Sequence, residues 1–290
     1  MRQANLIRLI TEDHLQLNAI LFGSLDATVG LIFLHALGAE VFSNNDFLPA
    51  DNHYLSLYVH NRGHDDLTGI LHLNPDTSEG YDWVPGGKAH EVFTECIYDI
   101  QAAVDFLKKK GITKIYLVGH STGCQKVIYY LAQPGKQGQV KGVVLLCPMS
   151  DYASVAPTEK PEKLAAATEY AETLIRQGEP HALLPKNIWP DLLDAQRFLS
   201  LYTPGSAEDI FTYYQPDKPP EQLRKVTLPK LILIAEKDQY ADRPTTEIAE
   251  WFSVQATAAS VKLIKDSSHF MTNKDDEVRS LISGWLSMQS

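Results

Sequence analysis

The amino-acid sequence predicts an α/β fold, with a mostly parallel eight-stranded sheet flanked by helices and interrupted by a helical insertion. From residue 91 onward, short apolar runs alternate with segments of helical periodicity, the pattern of strands joined by helical crossovers. Between residues 152 and 225 this alternation stops, and Pro-rich joints separate helical segments with no convincing strand between them. The two observations together indicate a core that the insertion divides.

The eight predicted strands are short apolar runs bounded by turn residues. Those at 29–34 and 140–147 are apolar almost throughout, as expected for strands covered on both faces. The strands are residues 5–10, 15–22, 29–34, 54–58, 114–118, 140–147, 230–235 and 260–264.

The predicted helices rest on apolar residues at helical spacing, and the first two end at Gly or Pro. Gly111 ends the first, and Pro134-Gly135 ends the second. Ser206 followed by Asp209 is typical of a capped helix start. The helices are residues 91–110, 122–133, 161–177, 191–202, 207–214, 245–257 and 275–288.

The chain is therefore divided into an α/β core, residues 1–151 and 226–290, and a helical insertion, residues 152–225. An insertion of about 75 residues is too long for an ordinary loop. It follows a core strand, on the edge where ligands enter open α/β sheets. We expect it to form a cap or lid.

A Gly-x-Ser-x-Gly pentapeptide, Gly119 to Gly123, follows the strand at 114–118 and opens the next helix. Such a tight strand–turn–helix passage holds its central Ser121 at positive φ and crowds the two glycines together, where a Cβ would clash. Ser121 is then exposed at the sheet edge, and the Thr122 N–H faces the position of a developing oxyanion. We predict Ser121 as a nucleophile and expect His120 to pack beside this turn.

A serine nucleophile needs a base, which in this architecture follows the nucleophile and the acid along the chain. Only His181 and His269 lie beyond Ser121. His181 is in the insertion, whereas His269 lies in a polar loop between the last strand and the last helix. His269 is the predicted base.

The acid that orients this base is expected just past a core strand. Asp238 follows the strongly apolar strand at 230–235 and is our first choice. Asp242 and Asp266 are rivals, and Glu236 is too close to the strand. Asp151, after the strand at 140–147, remains an alternative acid, or a turn or helix-cap residue.

A second oxyanion donor is expected from the loop after the third strand, which begins His35-Ala36-Leu37-Gly38. The Leu37 N–H is the first choice and the Ala36 N–H stays open. We expect His35 to support this loop rather than to carry a proton.

These motifs together resemble the α/β-hydrolase superfamily over nearly the whole chain outside the insertion. Gly-His-Ser-Thr-Gly-Cys-Gln is also similar to a group of hydrolases that includes fungal siderophore esterases. Two departures are Asn61, where an Asp usually leads the Arg-Gly-His loop, and Ala36, where His-Gly is usual. The motifs are His35-Ala-Leu-Gly, Asn61-Arg-Gly-His64, Gly-His-Ser121-Thr-Gly, Glu-Lys-Asp238 and Ser-Ser-His269.

The resemblance implies a carboxylesterase-like serine hydrolase that cleaves a small-molecule ester, or a thioester, lactone or amide, through an acyl-enzyme. It implies neither metal nor organic cofactor. A non-catalytic or weakly catalytic small-molecule-binding protein on the same fold is the alternative. A metallohydrolase would have to use His53, His60, His64 and His72, which match no zinc-binding pattern.

Composition narrows the partners and the compartment. The net charge of −10 and scattered basic residues argue against nucleic-acid or anionic-membrane partners. No segment has the roughly 18 uninterrupted apolar residues of a membrane span, and the N-terminus makes a poor signal peptide. Cys96, Cys124 and Cys147 are odd in number and widely spaced, as in a reducing compartment. We expect a soluble, cytoplasmic protein; the sequence leaves its oligomeric state open.

Overall fold

Ten strands form one sheet in the computed structural model, which describes residues 4–43, 46–49, 51–155 and 158–289. They are β1 (Asn5–Ile10), β2 (Leu15–Gly23), β3 (Val29–Leu34), β4 (Tyr54–Val59), β5 (Thr68–Leu73), β6 (Tyr81–Gly86), β7 (Lys114–His120), β8 (Gly142–Leu146), β9 (Lys230–Ala235) and β10 (Ala259–Ile264).

The sheet order is β10-β9-β8-β7-β3-β4-β2-β5-β6, and β1 pairs with β2. The six strands from β10 to β4 are parallel to one another, whereas every pairing made by β1, β2, β5 and β6 is antiparallel. The mostly parallel α/β prediction is confirmed. Parallel strands present their carboxyl ends at one edge, where residues that follow β3, β7, β9 and β10 can meet.

The predicted number of eight strands is wrong, because the hairpin of β5 and β6 was missed. Only Ile70 and Gly86 of its twelve residues are buried. An edge hairpin that is largely exposed has no strong apolar pattern, and Pro85 and Gly86 further weaken the strand signal of β6.

Eight α-helices occur in the described residues. Two of them, α3 and α6, are short and were not predicted. They are α1 (Cys96–Lys109), α2 (Thr122–Ala132), α3 (Asp151–Val155), α4 (Pro161–Arg176), α5 (Ala195–Tyr202), α6 (Glu221–Lys225), α7 (Thr245–Gln255) and α8 (Asp275–Ser287).

The helix predicted at 207–214 is wrong, since this segment consists of turns and irregular chain. Ser206 does not cap a helix: its hydroxyl donates to the Ser200 carbonyl, 2.6 Å away. The Asp209 carboxylate accepts from the Gly205 amide at 2.8 Å and from the Lys218 ammonium at 2.8 Å. These side-chain bonds hold the backbone in turns and outweigh the local helical pattern.

Apolar side chains fill both faces of the sheet, and a third cluster lies among the helices that follow β8. The third cluster is built around Trp189 and Phe198, whose rings pack edge to face with centroids 5.0 Å apart. Phe211 and Tyr213 instead join the main core, so the chain between β8 and β9 packs partly on itself and partly on the sheet. Leu37, in the loop after β3, contacts the third cluster.

Among the described residues, no helix combines the length and the apolar character that crossing a bilayer requires.

Candidate active site

The turn between β7 and α2 holds Ser121 at φ 53° and ψ −122°, a conformation that non-glycine residues rarely adopt. Contacts on both sides force this geometry. A Cβ at Gly119 would lie 2.5 Å from the Gly123 backbone, and a Cβ at Gly123 would lie 2.3 Å from the Leu34 carbonyl oxygen. The two glycines therefore let the turn and the end of β3 approach closely, with the Ser121 side chain at the carboxyl edge of the sheet.

Three of the sequence-predicted residues form one hydrogen-bonded chain. His269 Nε2 lies 2.8 Å from Ser121 Oγ, and His269 Nδ1 lies 2.7 Å from Asp238 Oδ2. The Asp238 carboxylate is fully buried and His269 is 3% exposed, whereas Ser121 is half-buried. The serine is thus the member of the chain that a ligand can reach.

The other candidate acids have different partners. Asp242 pairs with Arg243 at 2.8 Å, and Asp266 pairs with Lys237. Asp151 accepts from the Gln125 amide at 2.6 Å. Burial, with a contribution from the charge of Glu208, raises the pKa of Asp151 to about 8. Only Asp238 among the candidates bonds to His269.

Residues beside the three also fix their positions. The Tyr240 amide donates to Asp238 Oδ1 at 3.0 Å, and the His269 amide donates to Gln239 Oε1 at 3.1 Å. His120 is buried, as expected, and its Nε2 lies 2.9 Å from the His269 carbonyl oxygen. Burial and the charge of His269 lower the pKa of His120 to about 4, so its neutral ring donates this bond.

Gln239 and Tyr240 were missed by the sequence analysis. Their position directly after Asp238 is the only local signal they carry. The bond from His120 to the base joins residues 149 apart, and no local pattern announces it.

The loop after β3 lies against the nucleophile turn. A Cβ at Gly123 would also come within 3.0 Å of the His35 carbonyl oxygen. His35 is buried, and its Nδ1 lies 2.8 Å from the Ala36 carbonyl oxygen. Burial is the main cause that lowers the pKa of His35 to about 3, so the ring is neutral at physiological pH. Leu37, the first-choice second donor, follows directly in this loop.

A buried network of charges lies beneath the site. Glu91 contacts Lys126 of α2 at 2.6 Å and Arg197 of α5 at 3.1 Å, and Arg197 also pairs with Glu208. Burial opposes ionisation of Glu91, but Lys126 and Arg197 hold its pKa below the ordinary value. Asn61 accepts from Lys126 at 3.1 Å, which gives the Asn-Arg-Gly-His loop a structural place in this network.

The histidines of the metallohydrolase alternative do not converge. The His60 and His64 rings stack 4.6 Å apart, while His53 pairs with Asp51 and His72 with Asp82. Two groups in the described residues bring three ligand atoms within 4.8 Å of one another, and neither contains any of these four histidines. One group is Cys147, Asp238 and His269, and the other is His90, His181 and Asp194.

A cavity of about 1000 Å³ lies beside the site. Leu37, His120 and Phe270 border it, so it adjoins the loop after β3 and the neighbours of the nucleophile and base. Ser121 and His269 themselves do not line it. Its lining is mixed: Phe22, Val41, Phe42 and Tyr58 are apolar or aromatic, whereas Asp46, Asp275 and Arg279 are charged.

The sequence from residue 94 to 286 matches the family described as "Protein of unknown function (DUF1749)". This match covers more than half of the chain. The chain belongs to the DUF1749 family. Comparison with curated proteins gives no significant match.

Solved structures reveal which fold the DUF1749 chain has. A siderophore hydrolase, EstB from Aspergillus fumigatus, is 19% identical, with a TM-score of 0.66 over 100% of this chain and 99% of that one. Est1E from Butyrivibrio proteoclasticus, solved with ferulic acid, is 18% identical, with a TM-score of 0.65 over 98% of both chains. Carboxylesterase CesB from Bacillus subtilis is 17% identical, with a TM-score of 0.53 over 98% and 92%. The fold is the α/β-hydrolase fold, as the resemblance predicted.

Proposed function

We propose that this protein is a serine hydrolase that cleaves the carboxylic ester of a small molecule, with Ser121 as nucleophile, His269 as base and Asp238 as its orienting acid. The observation that carries the proposal is the hydrogen-bonded chain from Ser121 Oγ through His269 to Asp238, with separations of 2.8 and 2.7 Å. The first separation lets the base take the proton of the nucleophile, and the second lets the acid orient the base.

In the first half of the reaction Ser121 Oγ attacks the acyl carbonyl carbon, and its proton passes to His269 Nε2. Asp238 stabilises the imidazolium and keeps the proton on Nδ1. The tetrahedral intermediate then collapses: the ester C–O bond breaks, and His269 returns the proton to the leaving alcohol. The acyl group remains on Ser121.

In the second half a water molecule attacks the acyl carbon, and His269 takes its proton. The bond from the acyl carbon to Ser121 Oγ then breaks, His269 returns the proton to Ser121 Oγ, and the acid is released. The backbone N–H groups of Thr122 and Leu37 hold the oxyanion in both halves. Thr122 is the first residue of α2, where an N–H has no partner within the helix. The close approach of the β3 loop to Gly123 supports a second donor from that loop.

We also propose that residues 152–225 act as a cap over this site. Trp189 and Phe198 give the segment a core of its own, and that core contacts Leu37 beside the nucleophile. The ion pair of Arg197 with Glu91 joins this segment to the core. Because Phe211 and Tyr213 pack in the main core, the part that covers the site is the earlier part, around α4 and α5.

The cavity beside Leu37, His120 and Phe270 would hold one side of the ester. Its aromatic side chains would contact an apolar or aromatic group there, and Asp46, Asp275 and Arg279 would contact a polar one. EstB is described as a siderophore hydrolase and CesB as a carboxylesterase, and both descriptions agree with ester cleavage on this fold.

The test is hydrolysis of p-nitrophenyl esters of increasing acyl length and of aromatic esters, for the parent and for Ser121→Ala. We expect a loss of several orders of magnitude in kcat for the variant, since base and acid cannot act without the nucleophile. Activity should also survive prolonged treatment with a strong chelator. Ester hydrolysis that persists in Ser121→Ala, or a parent that binds such esters without turnover, would reject the proposal.

A further inference from the structure

We propose that His90, His181 and Asp194 form a Zn²⁺-binding site that joins the segment between β8 and β9 to the core. The site is separate from Ser121 and does not depend on the esterase proposal. Two imidazoles and a carboxylate are a common donor set for zinc, with remaining positions left to water.

The three side chains converge on one point. His90 Nδ1 and His181 Nδ1 each lie 2.9 Å from the same oxygen, Asp194 Oδ2. These atoms come from residues 90, 181 and 194, so two distant parts of the chain supply them. At a separation of 2.9 Å, each Nδ1 and Asp194 Oδ2 would subtend an angle of about 90° at an ion about 2.0–2.1 Å from both atoms. A tetrahedral angle would require each Nδ1 to lie only about 0.4 Å farther from Oδ2.

The carboxylate is held ready by its second oxygen. Asp194 Oδ1 accepts from the Arg197 amide at 2.8 Å and from the Gln196 side chain at 3.0 Å. The Asp194 side chain is fully buried, so its negative charge needs a nearby positive charge. A divalent cation at Oδ2 would supply that charge, and the bonds at Oδ1 are those expected around a metal-binding carboxylate.

A cavity gives access to the site, and the carboxylates near it attract cations. His90 and His181 line a cavity of about 390 Å³, and the His181 side chain is 58% exposed. The same cavity is lined by Arg62, which three carboxylates surround, those of Asp13, Glu95 and Asp99. The excess of negative charge favours entry of a cation.

Binding there would fasten the insertion to the sheet. His90 follows β6 in the core, whereas His181 and Asp194 lie between α4 and α5. The Asp194 amide already donates to the Ala89 carbonyl at 2.9 Å, so the two parts are in contact. An ion shared by both parts would stabilise their junction, because it binds the folded chain and not the unfolded one.

The experiment uses the full chain after chelator treatment and desalting. ZnCl₂ is titrated by calorimetry, CoCl₂ is titrated by visible absorption, and Tm is measured with and without Zn²⁺. We expect one equivalent of ion to bind, a Co²⁺ spectrum of nitrogen and oxygen ligands, and a rise in Tm with Zn²⁺.

His181→Ala tests the assignment, because this exposed side chain can be removed with little risk to folding. The variant should bind at least about tenfold more weakly and lose the Zn²⁺-dependent rise in Tm. His90→Ala should do the same. The matched control is His53→Ala, an exposed histidine beside Asp51 that should bind like the parent. Absence of a stoichiometric ion in the parent, or unchanged affinity in both site variants, would show that the two imidazoles only hydrogen-bond to Asp194.

Discussion

The substitution Asp238→Asn keeps the size of the orienting side chain and replaces one oxygen by an NH₂ group. The remaining oxygen can still accept from the Tyr240 amide, as Oδ1 does now at 3.0 Å. The NH₂ group then takes the place of Oδ2, 2.7 Å from His269 Nδ1. Because an amide NH₂ only donates, His269 Nδ1 must become an acceptor and its proton must move to Nε2.

In that tautomer the atom that faces Ser121 Oγ at 2.8 Å already carries a proton and cannot act as the base. In a Ser–His–Asp triad a change of this kind lowers kcat about 10⁴-fold. At about 1.36 kcal/mol for each factor of ten, the barrier should rise by about 5.4 kcal/mol. KM should change little, because no substrate contact is removed.

The assay is steady-state hydrolysis of the best p-nitrophenyl ester, with Tm and circular dichroism to show that the variant is folded. Asp242→Asn is the matched control, since Asp242 lies four residues away and pairs with Arg243. It should keep nearly full activity. The reasoning is refuted if Asp238→Asn keeps more than about a tenth of the parent kcat, or if Asp242→Asn loses as much.

Three further predictions concern the backbone strain at Ser121, the hydrogen bond of His120 and the raised pKa of Asp151. Ser121→Gly and Ser121→Ala should both be inactive. Because residue 121 has a φ of 53°, which glycine adopts without strain, urea unfolding should show the Gly variant to be more stable than the Ala variant by about 1 kcal/mol. Equal stability of the two variants would argue against backbone strain at this position. His120→Leu removes the donor to the His269 carbonyl and should lower kcat roughly ten- to hundredfold. His120→Gln keeps a donor and should lower kcat less. Equal kcat values for the two variants would contradict a role of His120 in positioning His269. Folding raises the pKa of Asp151 from 3.8 to about 8, so the folded state holds an extra proton between these values and should lose stability as pH rises through them. Asp151→Asn should therefore show a flatter dependence of unfolding free energy on pH than the parent, and identical slopes would contradict it.

The parallel core could be predicted because its strands carry strong local signals. Lys230–Ala235 is buried along its whole length. The predicted strands and helices of the core are bounded by Gly, Pro or polar turn residues. Once strand ends are known, Ser121, Asp238 and His269 are selected by their positions after three of them. The structure joins these side chains by hydrogen bonds, and their catalytic roles stay predictions.

The parts that could not be predicted depend on contacts between distant residues. The segment 207–214 has helical spacing, but Glu208 is drawn to Arg197 and Asp209 to Lys218, and these bonds keep the chain in turns. His90 and Asp194 meet although they are 104 residues apart. In the β5–β6 hairpin the stabilising contacts are pairs across two exposed strands, which leave little trace in either strand alone.

Covalent labelling by a fluorophosphonate tests the central claim most directly, because only an activated serine hydroxyl reacts readily with it. We expect one adduct per chain, located by peptide mass spectrometry on the peptide that contains Ser121. We also expect none on Ser121→Ala and much slower labelling of Asp238→Asn. A folded parent protein that stays unlabelled, or an adduct at any other residue, would contradict the proposed nucleophile.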